Sequence, residues 1–221
     1  MITAFLNQKG GVGKSTLSAN YAAWLAQSGA KTLLIDADPQ ATASTWASLR
    51  QKPDFQTIAL SRENMASKVM ELAKNYDHVV IDGPPRAEKL ARAIIIASDL
   101  VVIPIEPSGA SNWAAGETVE QIAQAKIIKE NQKAVFLVTR KIGNTVLGRE
   151  IHEMAAEHET PILKNAVYQR VAFAESLTMG KTIFEWSPNS PAARDIEKIS
   201  TEIMEIYEQE DISKQTHPQS A

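Results

Sequence analysis

The sequence predicts an α/β fold: a mostly parallel, twisted sheet flanked by helices on both faces. Three observations predict it. Apolar, β-branched runs alternate with longer stretches of helical periodicity, the signature of stacked βαβ units. The runs are apolar throughout instead of alternating with polar residues, which fits strands buried on both faces. The first run closes on a glycine-rich loop, Lys9-Gly10-Gly11-Val12-Gly13-Lys14-Ser15-Thr16, that leads into a helical pattern.

Taken in order, strands are expected at 2–7, 32–36, 78–82, 100–105 and 134–139, with a weaker one at 55–59. Helices are expected at 14–28, 41–50, 63–75, 88–97, 112–130, 145–157 and 192–208, and Gly29 closes the first of them. Between Thr160 and Pro191 the pattern is broken by prolines and Gly180, and a short strand and a short helix are expected there. The strand-loop-helix order around Lys14 makes the architecture P-loop NTPase-like, with ligands at the carboxyl ends of the strands. Residues 1–209 read as a single domain and 210–221 as a polar, disordered tail.

At 221 residues and 44% hydrophobic content the chain can bury an ordinary core. It has no cysteine, which excludes disulfides, thiolate metal sites, iron–sulfur clusters and cysteine nucleophiles. No signal-peptide pattern precedes the first strand and no run reaches the ~20 residues of a membrane span, so a cytoplasmic protein is expected. A net charge of −3 leaves room only for a local basic face toward nucleic acid. The four histidines show no metal-ligand spacing.

The chemistry starts at the loop. Its glycines let backbone N–H groups turn inward around an anion, Lys14 can reach terminal phosphates, and the Ser15 hydroxyl is placed for Mg²⁺. The helix from Lys14 adds the positive end of its dipole. In the G-x-x-x-x-G-K-[ST] pattern the first glycine would fall at position 8, where this chain has Gln8, followed by a second lysine, Lys9. The second strand runs into Asp36-Ala37-Asp38-Pro39-Gln40. One of these carboxylates can hold a water of the Mg²⁺ shell and the other orient an attacking water, or both can cap the helix that follows. His78-Val79-Val80-Ile81-Asp82 ends an apolar strand in an acid, the form of a segment that holds Mg²⁺ through water. The Gly83-Pro84-Pro85 loop after it could move when a γ-phosphate leaves.

With KGGVGKST, DADPQ and VVIDGPP in this order, the chain resembles the ParA-type ATPases of the deviant Walker A class, the group that also contains MinD. The Val138-Thr139-Arg140 strand end and the RVAFAESLTMG stretch with Lys181 extend the likeness. The resemblance implies ATP/ADP and Mg²⁺ as cofactors. It puts Gly10, Gly11, Val12, Gly13, Lys14, Ser15 and Thr16 around the phosphates, with Thr16 on the α-phosphate side. Lys9 becomes the signature lysine, which crosses a dimer interface to the nucleotide of the other subunit. The resemblance also makes Asp38 the residue that positions water, Asp82 and Ser15 metal-site residues with Asp36 in the Mg²⁺ shell, and Thr139 and Arg140 neighbours of adenine. Gly83 departs from the Thr or Cys common at its position in the family.

Composition separates the branches. Without cysteine the iron-protein, cluster-assembly and thiol-dependent pump branches fall away. A membrane-surface regulator of the MinD kind would carry a basic amphipathic helix, but the face opposite Ile196, Ile199, Ile203, Ile206 and Tyr207 is acidic. A ligase of the dethiobiotin-synthetase kind would need a small-substrate pocket that the sequence does not show. What remains is a partitioning ATPase of the short form without an N-terminal helix-turn-helix domain, serving a plasmid. It would be nucleoid-associated, would bind double-stranded DNA nonspecifically as an ATP-bound homodimer, and would be released when a ParB-type centromere-binding partner stimulates hydrolysis. Candidate DNA contacts are Lys126, Lys129, Lys133, Lys141, Arg149, Arg170 and Lys181, a local excess of positive charge. Trp113 could line the dimer interface or the core.

Overall fold

The computed structural model describes the backbone of residues 1–107, 109–130, 132–142 and 149–216. The side chains of residues 109–113, 149, 150, 154 and 209–216 lie outside the described set. Six strands, β1 (Ile2–Phe5), β2 (Thr32–Asp36), β3 (Gln56–Ala59), β4 (His78–Asp82), β5 (Leu100–Ile105) and β6 (Lys133–Val138), form one sheet in the order β3-β2-β4-β1-β5-β6. Every pairing is parallel. The helices are α1 (Lys14–Gln27), α2 (Thr42–Ser48), α3 (Met65–Ala73), α4 (Glu88–Ala97), α5 (Gly109–Ala125), α6 (Arg149–Glu157), α7 (Val171–Thr178), α8 (Ile183–Trp186) and α9 (Pro191–Thr216).

Why the inner strands are so largely apolar is visible in the two cores. Along β4, Val79 and Ile81 enter the core beneath α3 and α4, while Val80 enters the core on the other face with α1 and α9. Along β5, Val101, Ile103 and Ile105 go one way, and Leu100 and Val102 the other. A two-residue period with helices on both sides buries both faces of the inner strands, while the edge strand β3 keeps Gln56 and Ala59 exposed. Helix α1 is buried almost all round, from Leu17 to Leu25, because it lies between the sheet and α9.

The expected strands are all present, within two residues at each end. Three differences stand out. The stretch from 160 to 191 holds two helices, α7 and α8, and in place of a short strand only the single bridges Phe136↔Ile162 and Lys141↔Tyr168. Helix α5 spans 109–125 instead of 112–130. Helix α9 runs to Thr216, beyond 208 and into the segment expected to be a disordered tail; residues 217–221 lie outside the described set.

Because all strands run the same way, their carboxyl ends share one edge. The register sets Phe5, Asp82 and Asp36 side by side across β1, β4 and β2. On this edge also stand the phosphate loop after β1, Glu106 after β5 and Thr139 after β6.

Candidate functional site

The loop between β1 and α1 has the backbone its glycines permit: Gly11 at φ 80° and Gly13 at φ 92°, a region that side chains with a Cβ adopt only with strain. Asn7 fixes the entry to the loop, donating through Nδ2 to the Pro104 carbonyl at 2.7 Å and accepting the Lys9 N–H on Oδ1 at 2.8 Å. Thr139, buried at the end of β6, donates its hydroxyl to the Val12 carbonyl at 3.1 Å or the Ile105 carbonyl at 3.3 Å. Its side chain therefore holds the loop in place. Gln8 reaches α5, where its Nε2 donates to Gln121 Oε1 at 3.3 Å.

Lys14 is buried, and its Nζ donates to the carbonyl of Lys9 at 2.9 Å. Burial lowers its pKa, and the carboxylates of Asp82 and Asp38 oppose that shift. Asp82 is completely buried, with neither carboxylate oxygen hydrogen-bonded. Burial pushes its pKa up to about 7; the Ser15 hydroxyl, near it but not within hydrogen-bonding geometry, pulls the other way, and the charge of Asp36 adds to the rise. A carboxylate left this way beside Lys14 and Ser15 is a group waiting for a cation or its water shell. The donor set of Ser15 and Asp82, both oxygen and one anionic, suits Mg²⁺.

Asp36 is spent differently. Its Oδ1 accepts the Asp38 N–H at 3.1 Å and its Oδ2 the Ser44 N–H at 2.7 Å, in the first turn of α2. Both oxygens thus serve backbone groups, as in the capping alternative. Asp38 makes a tight turn, accepting the Gln40 N–H on Oδ1 at 2.9 Å, and is only half-buried.

Lys9 and Arg140 meet on one acid that the sequence reading passed over. Glu106 Oε2 lies 2.7 Å from Lys9 Nζ and its Oε1 3.2 Å from Arg140 Nη1. Beside the loop a cavity of about 910 Å³ opens, lined by Gly13, Thr16, Arg140, Tyr168, Arg170 and Phe173 among others. It takes in Thr139 and Arg140, and its far wall comes from the unpatterned 160–191 stretch. The aromatic Tyr168, flanked by Lys141 Nζ at 5.5 Å and Arg170 Cζ at 5.3 Å, is the one signal there that could have marked it.

The candidate DNA residues do not form one face. Lys126, Lys129 and Lys133 lie at the amino ends of the strands, opposite the phosphate loop. There Lys129 pairs with Asp99 and the Ser98 carbonyl, and Lys133 donates to the Ile206 carbonyl. Arg170 pairs with Asp195 at 2.9 Å, Lys141 borders the cavity, and Lys181 lies over the Trp186 ring. The side chains of Arg149 and Trp113 lie outside the described residues.

Comparison with known proteins places this geometry. A protein of Halothiobacillus neapolitanus named maintenance of carboxysome distribution protein A is 28% identical over 206 residues, covering 91% of this chain and 95% of its own. The chromosome-partitioning ATPase Soj of Thermus thermophilus is 28% identical over 235 residues, covering 91% and 94%. The septum site-determining protein MinD of Pyrococcus horikoshii, solved with Mg-ADP, superposes with a TM-score of 0.73 at 16% identity, covering 91% of this chain and 95% of that one. The family model of the CobQ/CobB/MinD/ParA nucleotide binding domain matches residues 3–183, from the first strand through the loop, both acid-ended strands and the cavity wall, and the chain belongs to that family.

Proposed function

We propose that this protein is a partitioning ATPase. ATP and Mg²⁺ bring two copies together face to face, the dimer binds duplex DNA without reading bases, and a ParB-type centromere-binding partner on a plasmid stimulates hydrolysis to ADP and phosphate. The observation that carries the reading is the pair of lysines on one loop. Lys14 stands at the start of α1, in the phosphate-binding place, and Lys9, which pairs with Glu106 of its own subunit, is the second lysine of the loop and the one that serves a nucleotide held by the other copy. The relatives named for partitioning and for distribution support positioning as the use of that dimer.

In this reading Gly10, Gly11, Val12 and Gly13 offer N–H groups to the phosphates, and Lys14 exchanges the Lys9 carbonyl for the terminal phosphates. Ser15 and Asp82 would hold Mg²⁺, which supplies charge neutralisation for the leaving phosphates when bound. Asp38 orients the attacking water, and the cavity beside Thr16, Arg140 and Tyr168 takes the nucleoside. Nonspecific DNA binding rests on the scattered lysines and arginines, so it should weaken steeply with salt. A nucleoid-associated, cytoplasmic protein follows from that role. The relative named for carboxysome distribution favours one second reading, in which the cargo is a protein assembly and the DNA-bound dimer is its track.

The test is ATP turnover measured alone, with nonspecific duplex DNA, and with DNA plus the product of the neighbouring gene. Turnover should rise most with both. A rate unmoved by either would overturn partitioning while leaving the nucleotide site standing.

A further inference from the structure

We infer that Glu106 is a positioning residue that keeps Lys9 folded against its own subunit until nucleotide arrives. The inference rests on the reading of Lys9 as the lysine that serves the other copy. Glu106 is the first residue after β5, and its side chain is only 19% exposed. One carboxylate oxygen takes the Lys9 ammonium at 2.7 Å and the other the Arg140 guanidinium at 3.2 Å. Arg140 sits at φ 50°, a left-handed conformation that a non-glycine residue keeps only where its surroundings hold it. The Lys14 ammonium, in turn, rests on the Lys9 carbonyl. The cations at the mouth of the loop are thus parked on internal acceptors, two of them on one carboxylate.

A lysine in a charge-assisted hydrogen bond to a largely buried carboxylate is held more firmly than in a neutral one, and the same amine cannot reach into a second molecule while it stays there. A triphosphate entering the loop changes both sides of this balance. It sets negative charge beside Glu106, which repels it, and offers Lys9 and Lys14 a stronger anion. Release of Lys9 and binding of nucleotide are then linked, and linkage is reciprocal: weakening the hold of Glu106 must ease nucleotide-driven pairing.

Glu106→Gln removes the charge and keeps the size, so it tests the inference directly. With ATP and Mg²⁺, the protein concentration for half-dimerisation, measured by sedimentation, should fall about fivefold or more, the lower end of coupling between linked sites. Without nucleotide, Lys9 should react faster with an amine-acylating reagent in Glu106→Gln than in the natural protein, read by mass spectrometry of the loop peptide. Glu106→Asp, which keeps the charge, should stay closer to the natural protein in both. An unchanged or weaker dimer together with unchanged Lys9 labelling overturns the inference. If the natural protein does not dimerise with ATP at all, the reading of Lys9 fails, and the labelling alone decides whether Glu106 restrains it.

Discussion

Asp82 shows how one buried carboxyl without a hydrogen-bond partner can weaken a fold. Its carboxyl keeps its proton up to about pH 7 in the nucleotide-free fold, against 3.8 as the ordinary value. A raised acid pKa means the fold bears no penalty below about pH 4, gathers it as pH rises, and carries all of it above about pH 7. Asp82→Asn should therefore make the nucleotide-free protein more stable at pH 8, by at most about 4 kcal/mol, with a gap that narrows at pH 4.5. Urea unfolding at the two pH values checks this, and an equal gap at both would contradict it. Magnesium nucleotide should stabilise the natural protein and not the variant. Gly83 also finds its reason here: a Cβ at this position would meet Leu6 Cδ1 at 2.6 Å and the Phe5 carbonyl oxygen at 2.8 Å. Gly83→Thr, the residue common in the family, should cost about 1–3 kcal/mol by overpacking, read as a lowered unfolding midpoint. Lys14, Ser15 and Asp82 were legible in sequence because a loop and a strand end fix their places locally. Glu106 was not, since its role appears only when β5, β6 and the loop converge. The departure at Gly83 was legible, but its cause, the size of Leu6 one strand away, was not.

At the scale of elements, the inner strands were readable because burial on both faces leaves a largely apolar run, and the half-exposed edge strand β3 gave the weaker signal. The 160–191 stretch was not, because its order comes from long-range contacts. Glu202 accepts the Asn165 N–H, Asp195 accepts the Tyr168 N–H, and Asn20 on α1 accepts the Ile183 N–H that opens α8. The acidic face of α9 argues in sequence against a membrane helix, and its apolar residues Ile196, Ile199 and Ile203 are fully buried against α1 and the sheet. Tyr207 ties α9 to β1, its hydroxyl 2.9 Å from Thr3 Oγ1. Tyr207→Phe should lower stability by about 1 kcal/mol in urea titration. Among the described residues no helix is long and apolar enough to cross a membrane. With Ile196, Ile199 and Ile203 of α9 already buried, vesicles of anionic lipid should not pellet the protein with ATP; recruitment would favour the membrane-surface reading.

For the whole molecule, the parallel sheet brings five strand ends, and with them Lys9, Lys14, Asp36, Asp82, Glu106 and Thr139, to one edge. That convergence follows from alternating strand and helix, and so was legible. The separation of the basic residues was not, because a run of lysines close in sequence spans a helix end and a strand start at the far edge, while Lys141 and Arg170 lie by the cavity. The claim that joins these parts is that Lys9 acts on the nucleotide of a second copy. Complementation tests it most directly. Lys14→Ala cannot hold nucleotide but still carries Lys9, and Lys9→Ala holds nucleotide but lacks the crossing lysine. Each alone should be inactive in ATP turnover, and mixing them should restore hydrolysis, because Lys9 of one copy completes the site of the other. A mixture no more active than its separate components, or a Lys9→Ala protein that turns over ATP like the natural one, would contradict it.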